Sequence, residues 1–464
     1  MGKNRVALTC FAALGAQWSA TPAHALDCAS ARGYVGLEGV DTFTRDSLWG
    51  DDAFRRNFAF DGYASGTVSC QLSEQISAKA TAGAQYAAGT EDPGTLDGKK
   101  DSGLAILNEG YVTWKPSDQI FLDVGKIERN NGNLFSQNPL DVVRNTSGNL
   151  RSTLVNNGDT NRYGFYREGS VGAGVTAYND YGTVDLAYLP KLATNNDQAQ
   201  SAEKWSSLER TNSNNRFYAA YTSSGLSNFN PTVAAVVGDY NVLALGTSGY
   251  LTDNLMLGAQ ASVSKGQRWR HLNMDKAAAI RSYENVGDPF SIDRTGARTD
   301  IAVGLRYTDS ERTEYGIEYY GQSQGYSRNE WKSYFDTVTF INGGYAKGLP
   351  PPVANSLASG YDQYSSLFGS ETDNANRGGN LLGKHYATVF VSSKKQAIRK
   401  LDWTASATTN LVDGSAYVNA RVSTYANNHV ELYTGVSMSF GSSRSEFGQF
   451  GRRGYVYAGT RIIV

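Results

Sequence analysis

The 464-residue sequence is short of cysteine, with three, and of histidine, with four. Beyond its N-terminal leader it has no apolar run approaching 18 residues, which excludes a bundle of membrane helices. After the leader only His271, His385 and His429 remain. Their +2 positions hold Asn273, Ala387 and Glu431, so none makes the His-x-Ser spacing that sets a base beside a nucleophile in barrel lipid hydrolases. An Asp-His pair assembled from distant strands is the one catalytic route left open. Isolated histidines and two paired cysteines offer no metal spacing, and neither a GxGxxG opening a helix nor a P-loop is present. The chain therefore reads as a non-enzyme with no cofactor and no metal. An excess of positive charge is also missing: 43 basic residues fall to 41 when Lys3 and Arg5 leave with the leader, against 44 acidic ones. That balance excludes nucleic acid as a partner.

Residues 1–25 have the pattern of a cleaved secretory signal. Lys3 and Arg5 give a positive start, Val6 to Ala16 an apolar middle, and Ala23-His24-Ala25 a small-x-small cleavage site. Cys10 leaves with that segment, and Cys28 and Cys70 remain as an even pair in a compartment that permits disulfides. They are expected to be bonded. No composition shift, proline-rich linker or low-complexity tract divides residues 26–464, which are read as one domain.

What the sequence has instead is glycine (50), tyrosine (29) and a low mean hydropathy of −0.43. A transmembrane β-barrel combines these, because its strands alternate lipid-facing and lumen-facing residues and average out polar. Period-2 alternation is plainest where Val430, Leu432, Thr434, Val436, Met438 and Phe440 face one side and Glu431, Tyr433, Gly435, Ser437 and Ser439 the other. The spacing predicts an all-β antiparallel barrel of about 18 strands, with 16 as the alternative count. The strands fall near 32–42, 56–70, 74–87, 104–114, 119–128, 169–179, 181–190, 214–223 and 231–239. The second half continues near 241–249, 254–264, 298–308, 313–323, 383–392, 400–410, 413–425, 429–440 and 454–464.

Even-to-odd connections are short turns such as Asn179-Asp180-Tyr181-Gly182 and Ala426-Asn427-Asn428-His429, whereas long loops fall near 129–168, 191–213, 265–297 and 324–382. That asymmetry predicts an outer-membrane barrel of a Gram-negative bacterium with both termini periplasmic. Two connections on the long-loop side are short, near Asp239-Tyr240 and at Leu411-Val412-Asp413-Gly414, and would be the first places to find a miscounted strand pair. Trp114, Trp403, Tyr425 and Phe440 suit interfacial girdles.

Alternation places Lys79, Arg306, Arg421 and Arg461 on the lumen face, together with Glu109, Asp123, Asp185, Glu318, Asp402 and Glu431. Mixed signs imply a water-filled pore with local fields and no strong ion preference. The segment 129–168 adds Arg129, Arg144, Arg151, Arg162 and Arg167. Loops of such length are usually functional or disordered, so it is expected either to fold inward as a basic constriction or to lie on the surface. In 324–382, Tyr326, Trp331, Tyr334, Tyr345, Tyr361 and Tyr364 could stack sugars or form a lid.

Two stretches resemble a known group. Leu122 to Asn145 (LDVGKIERNNGNLFSQNPLDVVRN) looks like the strand, Gly-Lys, Asn-Pro-x-Asp segment of porin-like barrels related to the alginate-export group. Leu411 to Gly448 resembles the Asp-Gly-Ser and Ser-Glu-Phe-Gly ending of similar barrels. The resemblance implies a pore, with some members exporting anionic exopolysaccharide. This chain departs from the pattern by ending Ile462-Ile463-Val464 and not on an aromatic residue. Three readings follow: a porin passing small hydrophilic solutes; a polysaccharide exporter served by periplasmic partners; and a barrel enzyme or adhesin. All share outer-membrane lipid as a partner, and the chain could act as monomer or trimer.

Overall fold

The computed structural model describes residues 27–49, 56–88, 102–143, 168–194, 206–226, 228–377, 381–394 and 401–463. The leader at 1–25 lies outside the described residues. Eighteen antiparallel strands form one closed sheet. The first six are β1 (Asp27–Thr44), β2 (Arg56–Gln71), β3 (Ile76–Ala88), β4 (Ser102–Ser117), β5 (Ile120–Ile127) and β6 (Ser170–Asn179). Then come β7 (Gly182–Leu189), β8 (Arg216–Ser223), β9 (Thr232–Gly238), β10 (Val242–Thr252), β11 (Leu255–Lys265) and β12 (Ala297–Thr308). The circuit ends with β13 (Thr313–Gln322), β14 (His385–Lys394), β15 (Leu401–Asn410), β16 (Ala416–Asn427), β17 (Val430–Phe440) and β18 (Arg452–Ile463). Every strand read from the alternation is present, and both suspect short connections are genuine turns.

Each strand pairs with its sequence neighbours, and β1 closes the barrel on β18 with Tyr34 opposite Ile463 and Phe43 opposite Gly454. Closure removes the exposed edge that hydrocarbon would leave unsatisfied. The Cys28–Cys70 disulfide joins the start of β1 to the end of β2. The chain enters β1 and leaves β18 at the rim that carries the short turns. Those turns use side-chain acceptors: Asn179 Oδ1 accepts from the Tyr181 amide, Asp309 Oδ1 from Glu311 and Thr313, and Asn427 Oδ1 from His429 and Val430. Such Asx contacts hold a chain reversal without a ladder bond.

The outer face is apolar. Leu305, Ile317 and Val389 stand level across three adjacent strands and are exposed, as the lipid-facing positions of a barrel must be. Trp114, Tyr178, Tyr181, Tyr221, Tyr250, Tyr307 and Tyr315 are exposed toward the short-turn ends of their strands, which is the placement of an interfacial girdle. Phe440 is likewise exposed at its strand end. Tyr425 corrects the girdle expectation: it pairs with Glu431, whose face is the lumen. A residue two positions from Ser423 shares that buried inner side, because strand parity is strict.

The long connections carry helices among the described residues. They contain α1 (Ser207–Thr211), α2 (Met274–Arg281), α3 (Arg328–Ile341) and α4 (Pro351–Arg377). Ser327 starts α3 in a reciprocal capping box with Glu330, Asn273 caps α2, and Pro opens α4. Connections 266–296 and 323–384 pack on each other around Trp269, Ile280, Phe290, Trp331, Phe335 and Phe368. Tyr326, Trp331, Tyr334, Tyr345 and Tyr361 belong to this core and are buried, so they are not a sugar-stacking platform. Half-buried Tyr364 donates to Asn285 and receives the Val286 amide. Aromatic residues on these two connections found each other because together they are long enough to bury a core of their own.

Replacing Ile317 by Arg puts a charge in the lipid-facing band, and we expect it to destabilise the barrel by about 2–4 kcal/mol. Reversible urea unfolding in lipid measures this, and an unchanged midpoint would contradict the assignment of that face.

Candidate constriction site

Alternation breaks down in one strand. The run Thr232-Val233-Ala234-Ala235-Val236-Val237 is apolar on both faces, and its inward residues Ala234 and Val236 are wholly buried. An apolar inner wall needs a cover. The cover is the segment 128–143 that follows β5: its Leu140, Val142 and Val143 pack on Ala187 and Leu189 of β7, Tyr218 and Ala220 of β8, β9, and Ala244 of β10. Tyr240 adds a bond by donating to the Val142 carbonyl at 2.9 Å.

The same segment reaches strands far around the barrel. Glu318, halfway along β13, accepts the Phe135 and Ser136 amides, the latter at 2.6 Å. The Phe135 ring stacks on Phe390 of β14 with centroids 4.0 Å apart. Arg306 of β12 donates to the Asn133 carbonyl at 3.0 Å. Gln260 of β11 receives the Leu140 amide at 3.1 Å and donates to Asn138, whose Oδ1 also accepts from the Leu134 amide. Asn131 donates to Tyr218 of β8. Two wall glycines make room: a Cβ on Gly258 would come within 2.8 Å of Leu134, and one on Gly304 within 3.1 Å. From β5 the segment thus runs inward as far as β13 and β14 and turns back along β11 to β9.

The charged candidates are mostly paired. Arg129 bonds Asp123 at 2.9 Å and Asp185 at 3.1 Å, over Gly174, where a Cβ would meet its guanidinium. One cation between two carboxylates leaves that corner net negative. Lys79 lies 2.6 Å from Glu109, which also accepts from Thr81. Arg306 faces Glu314 at 3.5 Å in addition to its bond with the segment. Glu431 is buried and holds two guanidinia, Arg421 at 2.9 Å and Arg461. Those arginines lie over the rings of Tyr433 and Tyr34, each at 4.9 Å. The inner wall therefore presents paired charges of both signs. Arg144, Arg151, Arg162 and Arg167 lie outside the described residues. Asp402 is half-buried on the lumen side of β15.

Gln260, Asn138 and the apolar anchors Leu134, Leu140, Val142 and Val143 were not singled out from the sequence. Two signals could have found them: the lost alternation of 232–237, which marks a dry inner wall, and the inward glycines of β11 and β12, which mark close approach.

The chain is similar to solved barrels in fold. OccK9 (OpdG) of Pseudomonas aeruginosa is 10% identical over 94% of this chain and 99% of its own, with a TM-score of 0.50. The outer membrane protein OpdK of the same species is 7% identical over 94% and 99% at 0.48, and Salmonella typhi OmpF in complex with daunomycin is 11% identical over 94% and 97% at 0.40. At such identity the likeness concerns the fold. No protein-family model matches the sequence, and no curated protein is detectably similar to it.

Hydrogen bonds to a charged group contribute about 1.5–3 kcal/mol, so Glu318→Ala should lower the exchange protection of the Phe135 and Ser136 amides by roughly 10- to 100-fold. Hydrogen-exchange mass spectrometry over 132–139 reads this directly. Unchanged protection would mean that Glu318 does not hold the segment.

Proposed function

We infer that this eighteen-stranded, closed, antiparallel barrel with an apolar outer band sits in the outer membrane of a Gram-negative bacterium. We propose that this chain is an outer-membrane channel for small hydrophilic solutes, exported with cleavage of residues 1–25 and folded as one barrel domain. Its termini and short turns face the periplasm, and its helical connections face outward. The observation that carries this reading is the segment 128–143, bonded to Glu318 and Gln260 inside a barrel whose inner face is polar and charged. A strand wall of this circumference encloses more space than its own side chains fill, and the segment narrows that space at mid-height.

Arg129, Lys79, Glu109, Asp123, Arg306, Glu318, Arg421 and Arg461 set the field in the remaining passage. Because cations and anions are paired along the inner wall, a solute meets both signs, and selectivity between small ions is weak. Export of an anionic exopolysaccharide, the reading suggested by the sequence resemblance, needs a passage wide enough for a polymer. A segment anchored on two sides of the lumen favours small solutes over that alternative.

Purified protein inserted in planar bilayers is expected to show ohmic single-channel steps. A reversal potential in a KCl gradient should give a cation-to-anion ratio within a few-fold of one. Removing 132–139 should raise the conductance severalfold while the heat-modifiable mobility of the folded barrel is kept. Absence of steps from folded protein, or an unchanged conductance in the deletion, would contradict the proposal.

A further inference from the structure

The two short motifs near the C-terminus, Asp413-Gly414-Ser415 and Ser445-Glu446-Phe447-Gly448, meet in space. The first is the turn between β15 and β16, and the second lies in the connection 441–451 between β17 and β18. Asp413 accepts the Glu446 amide at 2.7 Å, and Ser415 accepts the Phe447 amide at 3.3 Å. This places the Glu446 carboxylate, which is buried, among three donors: the Leu382 amide at 2.7 Å, Asn410 Nδ2 at 2.6 Å and the Tyr386 hydroxyl. One carboxylate thereby ties the connection 441–451 to the last residues of the helical connection 323–384 and to strands β14 and β15.

The tie extends to the constriction. Phe447, beside Glu446, and Leu381, beside Leu382, pack in one core with Leu134 of the constricting segment, against Ala302, Tyr320, Tyr386 and Tyr417 of the wall. The helical cap and the narrowing at mid-barrel are thus joined through one apolar cluster whose outward end is pinned at Glu446.

We propose that Glu446 is a positioning residue that couples the outer cap to the pore constriction and makes the channel's narrowing respond to pH. The proposal rests on the channel reading above. The titratable groups facing Glu446 are Asp413 from the 411–415 turn and Tyr386 from β14. Tyr417 of β16 packs on its neighbour Phe447. Arg444, on its own connection, is turned to Asp336 of α3, and Lys384 to Glu330.

Burial first, and the Asp413 charge after it, push the Glu446 carboxyl up to about 7, against hydrogen bonds from Tyr386, Leu382 and Asn410 that act the other way. A carboxyl whose affinity for protons is higher in the latched state stabilises that state when protonated. The latch is therefore firmest below the ordinary carboxylate range, weakens as pH rises toward 7, and changes little above it.

The test is hydrogen exchange in the full-length barrel, corrected for intrinsic rates, from pH 4.5 to 8, with single-channel recording over the same range. In the wild type the protection of the Leu382 and Phe447 amides should fall by at least about tenfold with rising pH. That of Phe135 and Ser136 should follow, and the conductance should rise. Glu446→Gln, which keeps the shape and removes the titration, should flatten all five responses. Asp413→Asn should move the midpoint to lower pH, and it decides alone if Glu446→Gln does not fold. A wild type indifferent to pH, or an equal response in Glu446→Gln, overturns the proposal. So does a cap response that leaves Phe135 and Ser136 unmoved. If the amides respond as expected but no variant conducts, the latch stands and the channel reading fails.

Discussion

The hydrogen-bond ladder between β1 and β18 is the contact on which the rest depends. In hydrocarbon an unpaired amide or carbonyl has no water to turn to, so a sheet can span a membrane only when its first and last strands meet. The register from Tyr34 opposite Ile463 to Phe43 opposite Gly454 supplies that meeting, and the Cys28–Cys70 bridge fixes the end of the closing strand to its other neighbour. Closure commits alternate residues to lipid. It also sends every long insertion either over the rim or into the lumen.

Both routes are taken, and both are governed by what can be buried. Connections 266–296 and 323–384 carry enough aromatic residues to build a helical core of their own above the rim. The segment 128–143 cannot do that alone, since its apolar residues are few, and it buries them on an inner wall that has become apolar to receive them. Its polar backbone is satisfied by Glu318, Gln260, Arg306 and Tyr240. The low local dielectric that strengthens these bonds would make any of them costly to leave unmade.

Inside the lumen, charge is held in place by opposite charge. Arg129 bridges Asp123 and Asp185, and Glu431 holds Arg421 and Arg461. Aromatic rings support the second group from below, with Arg421 over Tyr433 and Arg461 over Tyr34. Tyrosine thus has three uses in one molecule: at the lipid interface, in the core of the outer connections, and beneath the arginines of the inner wall.

The barrel, its strand count and its disulfide were legible in the sequence because each depends on local pattern. Side chains alternate with period two wherever one face meets lipid, turns announce themselves as Asn-Asp-Tyr-Gly or Ala-Asn-Asn-His, and two cysteines at neighbouring strand ends have each other as partners. The lumen-facing identity of Lys79, Glu318, Arg421 and Arg461 followed from the same parity. Which of these charges pair, that Tyr326 and Trp331 bury themselves, and that Glu446 joins Asp413, Leu382 and Tyr386 were decided only in three dimensions. Such contacts link residues tens to hundreds of positions apart, and curvature and closure of the wall, which no local pattern encodes, bring them to one place.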